Sequence, residues 1–191
     1  MKKAIVLLEG IGALLQSKPH WTEKKPKEGF DDYEARTWRE RCHYVSDGTV
    51  YIPAEMFKNS ICEAASYLGE KIKGQGQKTW TQKFRSGIRV PEPLMLDIKK
   101  DDVQELKQFC DSQGRRGGKN SKVLKSFPTI PRWGGEVEFW ILEGSITEEV
   151  FIHHLRQAGN FIGIGKQRPS NGGDFGRFQV IEYQWIQDAV V

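Results

Sequence analysis

The stretch Gly159-Asn-Phe-Ile-Gly-Ile-Gly-Lys-Gln-Arg-Pro-Ser-Asn-Gly-Gly-Asp-Phe-Gly-Arg-Phe-Gln-Val180 decides how this chain is to be read. It joins a helix signal to a strand signal. Before it, Thr147 is a candidate N-cap with Glu148 and Glu149 in the first turn, Phe151, Leu155 and Ala158 form an inner stripe, and Gly159 marks the expected stop. After it, Arg177 to Tyr183 reads as a strand. Between them, Gly163, Gly165, Gly172, Gly173 and Gly176 permit positive φ and close backbone approach, and Lys166, Arg168 and Arg177 supply charge. Such a loop suits a polyanion, although a long glycine-rich turn that only closes a sheet has the same composition.

Working outward, Ala4 to Leu8 is a β-type run that can continue toward Leu15. Gln16 to Asp32 is rich in lysine, proline and charge and reads as an extended loop. Val50-Tyr-Ile-Pro53 ends a short strand, and Phe57, Ile61, Ala64, Ala65 and Leu68 follow at helical spacing up to Gly69. Arg89 to Ile98, with Pro91 and Pro93, predicts an edge strand, and Val103, Leu106 and Phe109 predict a short helix over 101–112. Val137, Phe139 and Ile141 alternate with Glu138 and Trp140, the pattern of a strand with one buried face. The order strand, helix, strand, strand, helix, strand predicts an α+β, ferredoxin-like (RRM-like) domain. Its antiparallel sheet would carry helices on one face and leave the other open to a ligand. The whole of 1–191 is expected to be one domain, with basic insertions at about 16–48 and 113–134.

At 191 residues the chain can bury a core without staples. Its 29 basic and 25 acidic side chains leave a formal charge of only +4, so distribution matters more than total. The acid-free run between Asp111 and Glu136 holds Arg115, Arg116, Lys119, Lys122, Lys125 and Arg132, a block that a phosphate backbone would feel. Aromatic residues interleave with charge elsewhere: Trp21, Trp38 among Arg36, Arg39 and Arg41, and Trp80 between Lys78 and Lys83. Such rings can stack on unpaired bases. Trp133, Trp140 and Trp185 read better as core.

Cys42, Cys62 and Cys110 are odd in number and widely spaced, which reads as reduced thiols in a cytoplasmic protein. Cys42-His43 with Cys62 lacks metal-ligand spacing, and no metal or cofactor is expected. His20, His43, His153 and His154 show no partner in sequence, and Asp31 and Asp32 sit among lysines, so no catalytic residue is assigned. No run approaches the roughly 20 apolar residues that span a bilayer, and no membrane partner is expected.

Two segments carry a resemblance. Tyr51-Ile-Pro-Ala-Glu-Met-Phe-Lys-Asn-Ser-Ile61 resembles the IPGSSLKGALR segment that opens the first helix in the RAMP superfamily of CRISPR-associated proteins. Gly163 to Phe178 resembles that superfamily's C-terminal glycine-rich loop, and Arg115 to Trp133 lies where its crRNA-binding backbone subunits carry a thumb-like insertion. The resemblance implies single-stranded RNA or DNA binding, with self-association along the strand or association with other CRISPR-type subunits. The small size fits a phage or prophage member, and two other outcomes stay open: a ribonuclease of the same fold, or a phage protein that mimics an effector subunit. The expected contacts are Lys58, Trp38, Arg39, Lys119, Lys122, Lys125, Arg132, Gly163, Gly165, Lys166, Arg168, Gly173 and Arg177.

Overall fold

The computed structural model describes residues 1–111 and 122–187. In chain order its elements are β1 (Lys2–Gly10), β2 (Leu14–Leu15), α1 (Phe30–Thr37, extended by a 3-10 turn to Arg41), β3 (Thr49–Ile52), α2 (Ala54–Leu68), α3 (Thr81–Gly87), β4 (Ile88–Arg89), β5 (Leu94–Lys99), β6 (Gln104–Asp111), β7 (Lys122–Ile130), β8 (Gly134–Ile141), α4 (Glu148–Gln157) and β9 (Phe178–Ile186).

Strands β4, β8, β1 and β9 form one sheet in that order, and every neighbouring pair is antiparallel. With α2 after β1 and α4 after β8, this is the ferredoxin-like α+β arrangement, fourth strand beside the first and third beside the second. Alternation places Ala4, Val6 and Leu8 of β1 and Val137, Phe139 and Ile141 of β8 on one face, all buried. Phe57, Ile61, Ala64 and Ala65 of α2 and Phe151, Ile152 and Leu155 of α4 cover that face, with the Phe139 and Phe151 rings edge-on at 5.3 Å. Gly69 ends α2 in the left-handed conformation, and the Thr147 hydroxyl accepts from the Val150 amide to cap α4, as the pattern predicts.

Three expectations need correction. The short helix over 101–112 is instead a 3-10 turn followed by strand β6. Its three-residue apolar spacing is overridden by β7, which pairs with it from Gln104↔Thr129 to Asp111↔Lys122. Lys122 and Lys125 of the basic arm therefore lie on β7, paired with β6; Arg115, Arg116 and Lys119 lie outside the described residues. Next, the single edge strand over 89–98 splits. β4 ends at Arg89, and the prolines at 91 and 93, which offer no N–H to a ladder, separate it from β5, which pairs with β3. Finally, Gly159 does not stop the helix; the chain continues through a π-helical turn, Ala158–Ile162, and reverses at Gly163 with φ 68°. Gly159 is needed for another reason, since a β-carbon there would collide with the Phe178 carbonyl of β9.

The two insertions are joined to each other by buried polar groups. Glu34 of α1 is buried, pairs with Arg41 through both carboxylate oxygens and accepts the Ser126 amide of β7 at 2.8 Å. Arg41 returns a bond to the Ser126 carbonyl at 2.8 Å. Gln16, also buried, donates to the Tyr51 carbonyl at 2.9 Å and accepts from the His43 amide at 2.6 Å, while its own amide donates to Pro128 at 3.0 Å. Burial opposes ionisation of Glu34, but Arg41 and the Ser126 amide together hold its pKa below the ordinary value of 4.5.

Removing one partner of such a pair leaves an uncompensated buried charge, so Arg41→Met is expected to lower unfolding free energy by about 3 kcal/mol at neutral pH. Urea unfolding measures this. The double variant Glu34→Met/Arg41→Met, which buries no charge, is expected to be more stable than Arg41→Met alone. Because the folded-state pKa of Glu34 is depressed, its stabilisation is present above the unfolded value. It is lost as pH falls through the folded one, and the gap between wild type and Glu34→Gln should narrow over that range.

Candidate nucleic-acid interface

The loop between Gly163 and Gly176 folds back on itself and onto β2. The Lys166 amide donates to the Leu15 carbonyl at 2.8 Å, the Gly176 amide to Ala13 at 2.9 Å and the Ile164 amide to Gly176 at 2.9 Å. Gly165, with φ 78°, sits where a β-carbon would be 2.5 Å from the Leu15 carbonyl oxygen, and one at Gly173 would strike the Gln167 carbonyl. The close approach that these glycines permit is therefore to this chain's own backbone. That docking holds Lys166 and Arg168 at a fixed place beside α2.

Between this loop and the β6–β7 hairpin runs a cleft of about 610 Å³, lined by Ser17, Arg41, Gln108, Phe109, Cys110, Lys122, Lys125, Phe127, Lys166, Gln167, Asn171, Gly172 and Gly173. Ser17, Lys166 and Asn171 also line a second hollow, with Met56, Asn59, Ile164, Gly165 and Arg168. Asn59 and Arg168 line a third, with Lys58, Cys62, Glu63, Ser66 and Arg85. Shared walls make the three one groove, from the hairpin over the glycine loop and along the first turns of α2 toward α3. The segments 51–61 and 163–178, far apart in sequence, meet in its middle.

The groove is cationic. Glu34 neutralises Arg41, and Glu63 pairs with Arg168 at 2.7 Å. Lys58, Arg85, Lys122, Lys125 and Lys166 hold no ion pair among the described residues. Phe109, expected inside a helix, points outward from β6 and is 67% exposed, an aromatic face among these lysines. Neither Phe109 nor Arg85 was foreseen as a site residue, because the spacing of Phe109 imitates a helix and Arg85 is a lone cation on α3.

The uncovered face of the main sheet is a poorer place for a polyanion. Ladder partners put Glu136 and Glu138 opposite Leu7 and Ile5, and Glu182 beside Leu7, so these carboxylates and Glu9 share that face. Its cations are engaged: Lys3 pairs with Glu138 at 2.8 Å, and Arg89 lies 5.0 Å over the Trp140 ring. The face expected to be open to a ligand is uncovered, but its charge pattern disfavours a polyanion.

Other expected contacts fall elsewhere. Trp38 is buried, with the Arg39 guanidinium 4.3 Å over its ring, so its face is not open to a base. Arg132 is exposed in the turn after β7 and is not among the groove's lining residues. Gly163 lies against Pro169, and Arg177 pairs with Asp174 at 3.1 Å beside a neighbouring hollow that holds Tyr67 and Phe161. Lys119 lies outside the described residues. Trp133 is core, as expected, whereas Trp80 is half-buried against His154. His20 lies 3.2 Å from the Thr22 hydroxyl, and Asp31 and Asp32 are exposed in the first turn of α1. No helix among the described residues is long and apolar enough to cross a membrane.

Comparison with protein-family models finds no match, and comparison with curated proteins finds none either. Among solved structures, the crystal structure of Cmr6 from Pyrococcus furiosus aligns with 94% of this chain and 99% of its own, at 15% identity and a TM-score of 0.43.

Gly165→Val forces a β-branched side chain into a left-handed position against the Leu15 carbonyl. It is expected to cost about 1 to 3 kcal/mol and to raise hydrogen exchange at the Lys166 and Gly176 amides, which mass spectrometry or NMR would report.

Proposed function

We propose that this chain is a RAMP-like, single-stranded nucleic-acid-binding protein that holds its ligand in the groove without cleaving it. The observation that carries this reading is the groove's continuity. Lys122 and Lys125 on the hairpin, Lys166 on the loop, and Lys58 and Arg85 at the helices form one track of cations without carboxylate partners among the described residues. A phosphate backbone displaces its counterions along such a track, and Phe109 offers a stacking surface that any unpaired base can use. Stacking contributes roughly 1 to 3 kcal/mol per base and requires a base outside a duplex, so single strands are favoured over duplex. Self-association along a long strand or with other CRISPR-type subunits, and residence in the cytoplasm, belong to the same proposal.

Fluorescence anisotropy with single-stranded RNA, single-stranded DNA and duplex of equal length tests it. Tighter binding to duplex at the same salt would overturn the reading. Lys122→Ala, Lys125→Ala and Lys166→Ala together should make the slope of log affinity against log salt shallower by roughly 0.7 per lost contact. Arg132→Ala, off the groove, should leave that slope unchanged. Glu63→Gln acts in the opposite direction: it frees the Arg168 charge, and affinity at low salt is expected to rise several-fold. Light scattering with and without a long oligonucleotide measures the self-association.

A further inference from the structure

Away from the groove, Glu70, His153 and His154 meet where the chain leaves α2. Glu70 follows the left-handed Gly69, and the two histidines are consecutive residues of α4. A Glu70 carboxylate oxygen and one ring nitrogen from each histidine all lie within 4.8 Å of one another. His153 Nε2 is 2.8 Å from one Glu70 oxygen and His154 Nε2 is 4.0 Å from the other.

His154 is the telling member. Its side chain is fully buried, and its Nδ1 lies 2.7 Å from the Val150 carbonyl. A carbonyl can only accept, so Nδ1 carries the proton and Nε2 of the neutral ring keeps its lone pair. That Nε2 has no hydrogen-bond partner among the described residues. A buried polar atom left unpaired costs free energy and calls for a cause. A free ring nitrogen 4.0 Å from a carboxylate oxygen, on a ring whose other nitrogen donates to a backbone carbonyl, matches the arrangement that metal-binding histidines adopt.

We propose that Glu70, His153 and His154 form a site for a divalent first-row transition ion, with zinc as the best match and water as the remaining ligand. Two imidazoles and one carboxylate suit zinc, whereas magnesium and calcium favour oxygen alone. Tetrahedral bonds of about 2.0 to 2.1 Å place ligand atoms roughly 3.3 Å apart. The Glu70–His153 pair must open slightly and Glu70 must approach His154. Both Glu70 and His153 have the freedom, their side chains being 42% and 44% exposed, while His154 is held by Val150 and by the Phe84 ring at 4.5 Å. Bound there, the ion would tie α4 to the end of α2. Glu70 lies 83 residues before His153, and no sequence spacing announces such a pair.

The test uses tag-free protein stripped with a chelator and titrated with cobalt(II), then zinc. One cobalt per chain with visible d–d bands, displaced by zinc and not by magnesium, is the expected result. Thiolate-to-cobalt charge transfer should be absent, because the cluster of Glu70, His153 and His154 includes no cysteine. His153→Ala and Glu70→Gln should each weaken cobalt binding at least tenfold. Both side chains are exposed, so the metal-free variants should keep the circular dichroism and melting of wild type. Absence of stoichiometric cobalt binding, appearance of thiolate bands, or wild-type affinity in both variants would overturn the proposal.

Discussion

The buried pair of Glu34 and Arg41, with Ser126 between them, is the constraint on which the groove depends. Among the described residues, the buried side chains Trp38, Cys42, Ile130 and Trp133 of the two insertions belong to the main hydrophobic cluster. α1 is short and exposes most of its surface, and the β6–β7 hairpin presents alternate residues to solvent on a small three-stranded sheet. A carboxylate that satisfies a backbone amide of β7 while gripping a guanidinium that returns a bond to the same residue fixes the hairpin against the helix. An ion pair of this kind adds little net stability compared with apolar packing, but it is highly specific about position. Position is what Lys122 and Lys125 need if they are to face Lys166 across a cleft.

The glycine loop completes that geometry from the opposite side. Its left-handed turns and bare α-carbons let it dock on Leu15, the end of a two-residue strand that also pairs with β7. The loop, β2 and the hairpin thus form one connected wall, and Gln16 extends the connection to β3 and to the His43 amide that precedes it. Charge then separates by location. Carboxylates collect on the uncovered face of the main sheet, and lysines without an ion pair among the described residues collect in the groove, so a modest net charge of +4 conceals two surfaces of opposite character.

Sequence reasoning reached the main sheet because its evidence is local. Period-two alternation in Val137 to Ile141, helical spacing in Phe57 to Leu68, the Thr147 cap and the Gly69 stop depend on backbone geometry within a few residues, and the strand and helix order follows from them. The same reasoning failed at 101–112. There Leu106 and Phe109, three residues apart, imitate a helix, and the partner that overrides that spacing, β7, lies further along the chain. It also misplaced Trp38, because cations on either side of a ring look the same in sequence whether the ring is buried or open.

From residues alone, then, the ferredoxin-like order, the location of the basic run and the glycine loop were determined, since propensity, patterning and charge are properties of short segments. Tertiary structure alone decided which of those charges share a groove, which are neutralised, and that Glu70 meets His154. Those are contacts between distant residues, set by chain reversals at Gly163, by the prolines that divide β4 from β5, and by a buried carboxylate whose partner amide lies 92 residues further along the chain.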